Sequence, residues 1–584
     1  MIVVTERAVT LHIKASWEES KQLCDAFRYK HPSAERILTH QLWLSTAGEQ
    51  GWDGYLHPFV YIKGESAMLL NRGHLDELAE KLERLELPHK LELLPRPFAG
   101  CTVDDIPDDL ITASFKLDHG QRTGIAMWLA HGVGINKMAV NSGKTATFAG
   151  AVARVKAELP NARFVYITAS ERLVNQAFPE LSKFLPDLNI TQYGGGKKDR
   201  SGKDVVVCTL AMLNRHLKDL QRNGWFKTFM GVLFDESQHA SAASGVEVME
   251  SIPAYFRFGA SDSVKADDPV AATTIRGLLG PVRFTLAATG LINSGRSARP
   301  HIYLVDVPEW KNLHARVPLE AKPNSLAWAW IDGSPDPVKG FYEGPSYEVD
   351  AKGAPVMVSK ASLAGEVIVS EKVPKRLVGW HRININGKST QVASVDCLLE
   401  RSYDRAIIRF EERNKVIVEW AKHFSKQGKP TVVVATRTTH VLLLESLLLS
   451  ALGEDRVRSL YSLHTSTARD TAFQWLRDQP GAVLVTPLVK EGVSINSIRA
   501  IIVADVVADW EVANQIIGRG VRHKEEDNKC EIVWFVDRQH PRYVKNAIQV
   551  MDKLQSIPGF VYYHPCSTPD ALGQALIYGH PSEE

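Results

Sequence analysis

Few cysteines, almost no net charge and no long apolar run mark this sequence, and each shortage removes a class of protein. Six cysteines are scattered over 584 residues, at positions 24, 101, 208, 397, 530 and 566. None forms a C-x-x-C pair, and no Cys/His spacing suits zinc, so neither a disulfide scaffold nor a zinc module is expected. Scattered thiols suit a reducing compartment, and the expectation is cytoplasmic. The formal net charge is +2. Summed charge would therefore not draw this chain to a polyanion, and any basic surface must be local. No stretch of about 18 apolar residues is present, which argues against a membrane-spanning helix and against a membrane partner. The nearest approach, VLLLESLLLSALG at 441–453, is too short and is interrupted by Glu445, so it reads as a buried helix. The opening MIVVTERAVTLHI has an early Glu6 and no long apolar core, so it does not read as a secretory leader.

What is present is an ordinary globular composition, 44% hydrophobic and 23% charged, in a length that suits roughly three or four domains. Residues 1–97 read as a small α/β domain. VVTERAVTLHI alternates like a strand, SWEESKQLCDAFRYK has a Ser N-cap and helical spacing, HLDELAEKLERLEL is a charged helix, and HKLELLPRPFAG reads as a linker. Over 98–289 the apolar runs ARFVYITAS, DVVVCTL and MGVLFDE are each followed by a loop and a helical pattern, which predicts a parallel sheet flanked by helices. Residues 290–399 are rich in Pro, Gly, Val and Trp. The pieces HIYLVDV, PVMVSK, GEVIVSEKV and WHRININGKS, with a hairpin signal at Asn386-Gly387, predict a β-rich insertion. The α/β alternation resumes over 400–550 with KPTVVVATR, GAVLVTP, IRAIIVAD and CEIVWFVD, and 551–584 is a tail. Two similar α/β lobes with an insertion between them are expected.

Three constellations carry chemistry. In KMAVNSGKTATFAGAVARV, the run Asn141-Ser142-Gly143-Lys144-Thr145 stands before an Ala-rich helical pattern. Backbone N–H groups at such a helix start point at phosphates, the Lys reaches the outer phosphates and the Thr hydroxyl suits Mg2+. A strict phosphate loop has Gly six residues before the Lys, where this chain has Met138. Alone, GKT also suits an ordinary helix N-terminus. Asp235-Glu236-Ser237-Gln238-His239 follows the apolar strand GVLFD, so two carboxylates stand at the carboxyl end of a parallel strand. Asp235 suits a metal and Glu236 suits polarising a water, the two needs of phosphoryl transfer. In QIIGRGVR, Arg519 and Arg522 are three apart, are expected to share one face of a helix, and suit charge developing on a phosphate, with Gln515 nearby.

In this order, NSGKT, DESQH and QIIGRGVR resemble the motifs of superfamily 2 helicases. The resemblance implies two RecA-like lobes, ATP and Mg2+ as cofactors, Asp235 and Thr145 at the metal, and Lys144, Glu236, Arg519 and Arg522 in catalysis. It implies further that Gln121 reads the adenine and that Gln176, Thr209 and Thr486 contact nucleic acid. Gly492 joins the ATP site, with Ser494 where many relatives have Asp. FRFGASDS places Ser261 at the family's coupling motif. Within the superfamily, the WDG turn at 52–54, the YGGGKKD segment with Lys197 and Lys198, and the GASDS segment are most similar to phage UvsW-type recombination DNA helicases. That likeness implies single-stranded and branched DNA as partners, DNA contacts by the N-terminal domain, and work in bacterial or phage-infected host cytoplasm. Closure of a cleft between the lobes on ATP would drive movement. The glycine hairpin suits either close approach to phosphates or a plain turn. Trp328, Trp330, Tyr342, Tyr347 and Trp380 suit either base stacking or a small β core. A duplex translocase without unwinding and an RNA-directed motor share every motif named. A non-catalytic annealing scaffold would not need all four of Lys144, Asp235, Glu236 and Arg522. A restriction-system motor has no paired-carboxylate nuclease motif to support it. The sequence names no protein partner.

Overall fold

The computed structural model describes residues 1–31, 55–62, 64–97, 101–112, 114–262, 268–307, 403, 407–461, 464–487, 497–507, 510–524, 527–537, 541–555, 557, 559–566, 569 and 576–578, and the strand backbones within 325–395. They fall into two units. Met1–Arg299 and Asn514–Asn528 make the first; Pro300–Val489, Ser497–Ala513 and Lys529–Glu584 belong to the second.

The first unit begins with a five-stranded sheet. VVTERAVTLHI is a hairpin rather than one strand: β1 (Ile2–Glu6) pairs antiparallel with β2 (Thr10–Lys14), and the Arg7 N–H closes the turn on the Thr10 carbonyl. With β3 (Val60–Tyr61), β4 (Ala67–Asn71) and β5 (His89–Glu92) the order is β3-β4-β2-β1-β5. β5 lies in the stretch read from sequence as a linker. Its prolines, 88, 95 and 97, flank the strand without interrupting it, so pairing with β1 is allowed. Helix α1 (Trp17–Ala26) starts at Ser16, whose hydroxyl accepts the Glu19 N–H while the Glu19 carboxylate accepts the Ser16 N–H. The apolar faces of α1 and of α2 (Leu75–Arg84) bury Leu23, Leu78 and Leu82 against Val4, Leu11 and Ile13.

Beyond it, eight strands form the main sheet of the first unit. They are β6 (Val133–Met138), β7 (Phe164–Thr168), β8 (Ile190–Gly194), β9 (Lys197–Lys198), β10 (Val205–Thr209), β11 (Gly231–Asp235), β12 (Phe256–Ser261) and β13 (Val282–Leu286). Their order is β9-β8-β10-β7-β11-β12-β6-β13, and all pairings are parallel except β8 with β9. β7 and β10 are buried along their whole length, and β11 as far as Phe234, as expected of central parallel strands covered by helices on both faces. On one face α3 (His119–His131) and α4 (Lys144–Glu158) lie close because Gly150 leaves no room for a side chain beside Ile125. Trp128 stacks between Phe148, at 4.9 Å, and Phe258, at 5.2 Å.

The N-terminal sheet seats on α7 (Pro269–Leu279). A Cβ at Gly73 would lie 2.6 Å from the Gly280 nitrogen and 2.7 Å from the Gly277 carbonyl oxygen, so backbone meets backbone there. Around that contact, buried Arg72 donates to Glu6 at 2.6 Å and to the Tyr255 carbonyl, while Arg283 pairs with Asp76 at 2.6 Å. Helix α5 (Glu171–Phe184) follows β7, and the short helix α6 (Leu210–Arg215) follows β10.

The second unit carries its own eight-stranded sheet, built from β14 (Arg299–Asp306), β15 (Thr431–Val434), β16 (Val457–Ser459), β17 (Val483–Thr486), β18 (Ala500–Val503), β19 (Lys529–Val536), β20 (Val561–Cys566) and β21 (Leu576–Tyr578). The order is β16-β17-β15-β18-β19-β14-β20-β21. Two sequence boundaries shift as a result. β14, placed at the start of the 290–399 insertion, and β20, placed in the 551–584 tail, pair with each other in parallel and belong to this sheet. Their partners are hundreds of residues away, so no local pattern could show it. VLLLESLLLSALG lies in a helix, Thr438–Leu452, that buries Val441, Leu444 and Leu448. The insertion itself is an antiparallel sheet in the order Ser362–Val369, Val338–Glu343, Ser325–Trp330, Lys388–Val395, Gly379–Ile385. The last two strands pair up to Ile385 opposite Lys388, on either side of Asn386-Gly387. The aromatic side chains noted there lie outside the described residues, as does the WDG turn. The fold is thus α/β with parallel, RecA-like sheets flanked by helices, as the sequence predicts. Among the described residues no helix is long and apolar enough to cross a membrane.

Candidate active site

The chain from β6 to α4 must turn sharply, and two residues take left-handed backbone to do it: Asn141 with φ 67° and Gly143 with φ 82°. A side chain on Gly143 would overlap the Gln121 amide, so glycine is required there. Met138, at the position of the missing glycine, is the last residue of β6 and is fully buried; the turn is made after it. No side chain caps α4, so the first N–H groups of a 15-residue helix face outward beside Lys144 and Thr145. The buried Ser142 hydroxyl also has no hydrogen-bond partner.

β11 brings the acids to the same place. Lys144 Nζ lies 2.9 Å from Glu236 Oε1. Glu236 itself takes a left-handed backbone, φ 53°, a strained conformation for a residue with a side chain. Its other oxygen accepts from Gln238 Nε2 at 3.0 Å, and Gln238 in turn accepts from the Ser261 hydroxyl at 2.6 Å. Ser261 is therefore joined to Glu236 through one amide. Asp235 accepts the Tyr166 hydroxyl at 3.0 Å. Sequence reading missed Tyr166 and Gln238. Tyr166 had a signal, since a lone tyrosine in the buried run FVYIT needs a partner for its hydroxyl.

Charge in the cluster is uneven. Burial raises the Asp235 carboxyl above the usual range and the neighbouring Glu236 adds to it, against the pull of Lys144 and Tyr166. Burial acts on Glu236 in the same direction and is the largest influence, but Lys144, the Gln238 amide and His239 together outweigh it and hold that carboxyl low. Burial alone would weaken the Lys144 ammonium; Glu236, Asp262 and Asp235 together reverse this and raise it. One cation thus faces three acids, and Asp235 is the acid left short of positive charge.

Helix α8 (Trp510–Gly520) carries Arg519, and from Asn514 onward it packs with the first unit. Asn141 Nδ2 donates to the Gly518 carbonyl at 2.8 Å, and Asn514 donates to Asp262 at 3.0 Å. Arg519 is mostly buried and its Nε–H has no hydrogen-bond partner. Burial, then the charges of Arg522 and Arg172, lower its pKa to about 10, while Glu236 opposes the shift. Arg522 is not on the helix face with Arg519. Helix α8 stops at Gly520, and Arg522 instead forms an antiparallel bridge with Ser297. Burial lowers the Arg522 pKa, opposed by Glu180. Gln515 stands one turn before Arg519 on α8.

Gln121, expected at the adenine, is bonded within the protein. It is fully buried, its oxygen accepts the Asp118 N–H at 3.0 Å and its amide nitrogen donates to the Ser142 carbonyl at 3.0 Å. Both ends are spent on the protein. Of the residues expected at nucleic acid, Lys197 and Lys198 are exposed on a hairpin whose turn uses Gly195, φ 59°, and Gly196, φ 85°. That hairpin abuts Thr209, because a Cβ on Gly194 would lie 3.3 Å from the Thr209 nitrogen. The Thr209 side chain is buried and caps α6, accepting the Met212 N–H at 3.1 Å. Gln176 is half-buried on α5 and donates to Glu180 at 3.2 Å. Thr486 is buried at the end of β17, in the second unit. Gly492 and Ser494 lie outside the described residues.

Among the described residues no three His, Cys, Asp or Glu side chains cluster to hold a metal by themselves. A Mg2+ ion that keeps phosphate and water ligands needs only one carboxylate and a hydroxyl. Asp235, short of positive charge and held by the Tyr166 hydroxyl, supplies the carboxylate, and Thr145 at the start of α4 supplies the hydroxyl.

Residues 114–261 match the family model described as type III restriction enzyme, res subunit, and residues 412–524 match that of the helicase conserved C-terminal domain. Among solved structures, UvsW of bacteriophage T4 is similar at 14% identity and TM-score 0.41, over 96% of this chain and 98% of that one. A fragment of a putative HsdR subunit of a type I restriction enzyme from Vibrio vulnificus is similar at 14% identity and TM-score 0.49, over 83% and 74%. Dbp5 of S. cerevisiae, bound to RNA and ADP BeF3, is similar at 12% identity and TM-score 0.43, over 76% and 88%. Among curated proteins none matches the sequence.

Proposed function

We propose that the chain, an ATP-dependent helicase of superfamily 2 by its two matching domains, is a DNA motor that remodels branched molecules. One observation supports the catalytic part above all: Lys144 and the adjacent pair Asp235-Glu236 meet beside the uncapped start of α4, with Lys144 Nζ 2.9 Å from Glu236, 92 residues on.

In this reading the N–H groups of Asn141-Ser142-Gly143 and α4 cradle the phosphates, and the Lys144 ammonium, now paired with Glu236, turns to the outer phosphates. That exchange leaves Glu236 free to orient the attacking water, while Gln238 and Ser261 keep its second oxygen fixed. Asp235 and Thr145 would hold Mg2+, with the Tyr166 hydroxyl fixing Asp235; when bound, the ion would neutralise charge on the phosphates. Arg519 offers its unpartnered Nε–H to the charge that develops, and Arg522 acts on the same charge, with Gln515 beside them.

For nucleic acid, the exposed Lys197-Lys198 hairpin beside Thr209 supports a backbone-gripping surface, since glycines allow close approach and two ammonium groups follow. Gln176, Thr486 and the N-terminal domain join it in this reading. Single-stranded and branched DNA are the proposed partners. The test is the ATPase rate without nucleic acid and with single strand, duplex, a four-way junction and RNA. The proposal expects the junction and single strand to stimulate most. Greatest stimulation by RNA, or none by any of the four, overturns it.

A further inference from the structure

Gln121 sits where a base-reading glutamine is expected, yet no part of it is exposed. Its amide is held at both ends, by the Asp118 N–H at 3.0 Å and the Ser142 carbonyl at 3.0 Å, and its own N–H binds Asp118 Oδ1 at 2.9 Å. It also fills the space above Gly143, which is why that residue cannot carry a Cβ. The two residues it touches are the last two before Lys144. The other oxygen of Asp118 is taken by Arg296, through an ion pair to Nη1. Arg296 belongs to a segment fixed to the strand-like stretch after α8: the Ala298 N–H donates to the Val521 carbonyl at 2.8 Å, and Asn528 Nδ2 donates to the Gly295 carbonyl at 3.0 Å. Ser297 bridges Arg522 within the same pairing. A continuous line of polar contacts therefore runs from the phosphate loop through Gln121, Asp118 and Arg296 to the backbone that carries Arg522.

We propose that Gln121 is a positioning residue of the phosphate loop, locked by Asp118 and Arg296, and that it does not read the nucleotide base. The physical basis is direct. A fully buried amide with both ends bonded has no edge to present to an adenine, and freeing it would leave the Ser142 carbonyl and the Asp118 N–H unpaired. What it controls is the shape of the turn at Asn141–Gly143, hence the aim of the N–H groups and of Lys144. Arg296 makes that control continuous with the stretch holding Arg522, so this ion pair links loop geometry to arginine placement beside the direct bond from Asn141 to the Gly518 carbonyl.

The inference rests on the nucleotide site proposed above, and its test separates the two. Tripolyphosphate has the phosphates and lacks the base. Binding of tripolyphosphate, ATP and GTP to the full chain is measured by calorimetry, with KM and kcat for ATP and GTP alongside. Gln121→Leu is expected to weaken all three ligands by the same factor, about three- to tenfold for one lost buried hydrogen bond. Unchanged tripolyphosphate and GTP with weakened ATP is the signature of a base reader and overturns the proposal. Should Gln121→Leu fail to fold in a thermal melt, Arg296→Ala decides. It is expected to shift all three ligands by about twofold, as suits a partly exposed pair, and to add nothing in an Asp118→Asn background. Arg296→Lys should restore most of the loss. Arg296→Ala without effect on tripolyphosphate, or fully additive with Asp118→Asn, overturns the relay. A wild-type chain that binds none of the three ligands overturns the nucleotide site itself and this inference with it.

Discussion

Glu236 meets Lys144 in a strained backbone, and Arg519 waits nearby with an unpartnered N–H; at the scale of single residues these are the groups whose geometry serves a ligand better than it serves the fold. Arg522 belongs with them although it lies past the end of α8, because its bridge to Ser297 fixes it independently of the helix. Arg522→Ala is expected to leave ATP affinity near normal and to lower turnover by about 10³-fold or more, the range for an arginine acting on the transferring phosphate. Equilibrium nucleotide binding beside steady-state hydrolysis checks it; lost affinity with retained turnover contradicts it. A second residue couples to pH. Burial raises the Asp505 carboxyl to about 6, Asp537 adds to the rise, and the N–H groups of Thr436 and Val506 only partly offset it. The folded state therefore holds this proton more tightly than the unfolded chain does. The contribution is fully present below about pH 4, the unfolded value, and is lost as pH rises through about 6, a change of about 2–3 kcal/mol. Asp505→Asn should flatten that part of the stability–pH curve, read by thermal melts from pH 4 to pH 7; an unchanged slope counts against the assignment.

Among elements, the seat of the N-terminal sheet on α7 depends on bare backbone. Gly73→Ala places a methyl against the carbonyls of Arg276 and Gly277 and the nitrogen of Gly280, none of which can rotate away. The expected cost is about 1–3 kcal/mol, seen as a lower melting temperature of the first unit, with catalysis at low temperature little changed. A neutral result would show that the two pieces part easily. Element identity was legible wherever local chemistry decided it. The Ser16 cap, the buried strands FVYIT, VVVCT and GVLFD, and the helix after GKT all follow from patterns a few residues long. Strand order, the hairpin inside VVTERAVTLHI, the parallel pairing of β5, and the membership of β14 and β20 were not legible, because each depends on a partner remote in sequence. The site divides in the same way. Lys144, Asp235 and Glu236 announce themselves by type and position, whereas Tyr166, Gln238 and the brace role of Gln121 are hydrogen bonds to residues 21 to 69 positions away.

For the whole molecule, a net charge of +2 leaves nucleic-acid binding to local patches, and Lys197 and Lys198 are exposed on one. Replacing both with Ala should weaken DNA binding at low salt and reduce the slope of log affinity against log salt by about two, one for each lost phosphate contact. An unchanged slope would remove that hairpin from the interface. The two units each contain a parallel sheet of their own, and the residues expected to handle phosphate all lie in the first unit once Asn514–Asn528 is counted with it. The central claim is that this one cluster hydrolyses ATP when nucleic acid is bound. The measurement closest to it is the ATPase rate of the full chain and of Lys144→Ala, each with and without DNA. Strong stimulation of the wild type, with Lys144→Ala folded but at background in both conditions, is the predicted result; a Lys144→Ala protein that keeps normal DNA-stimulated hydrolysis contradicts it.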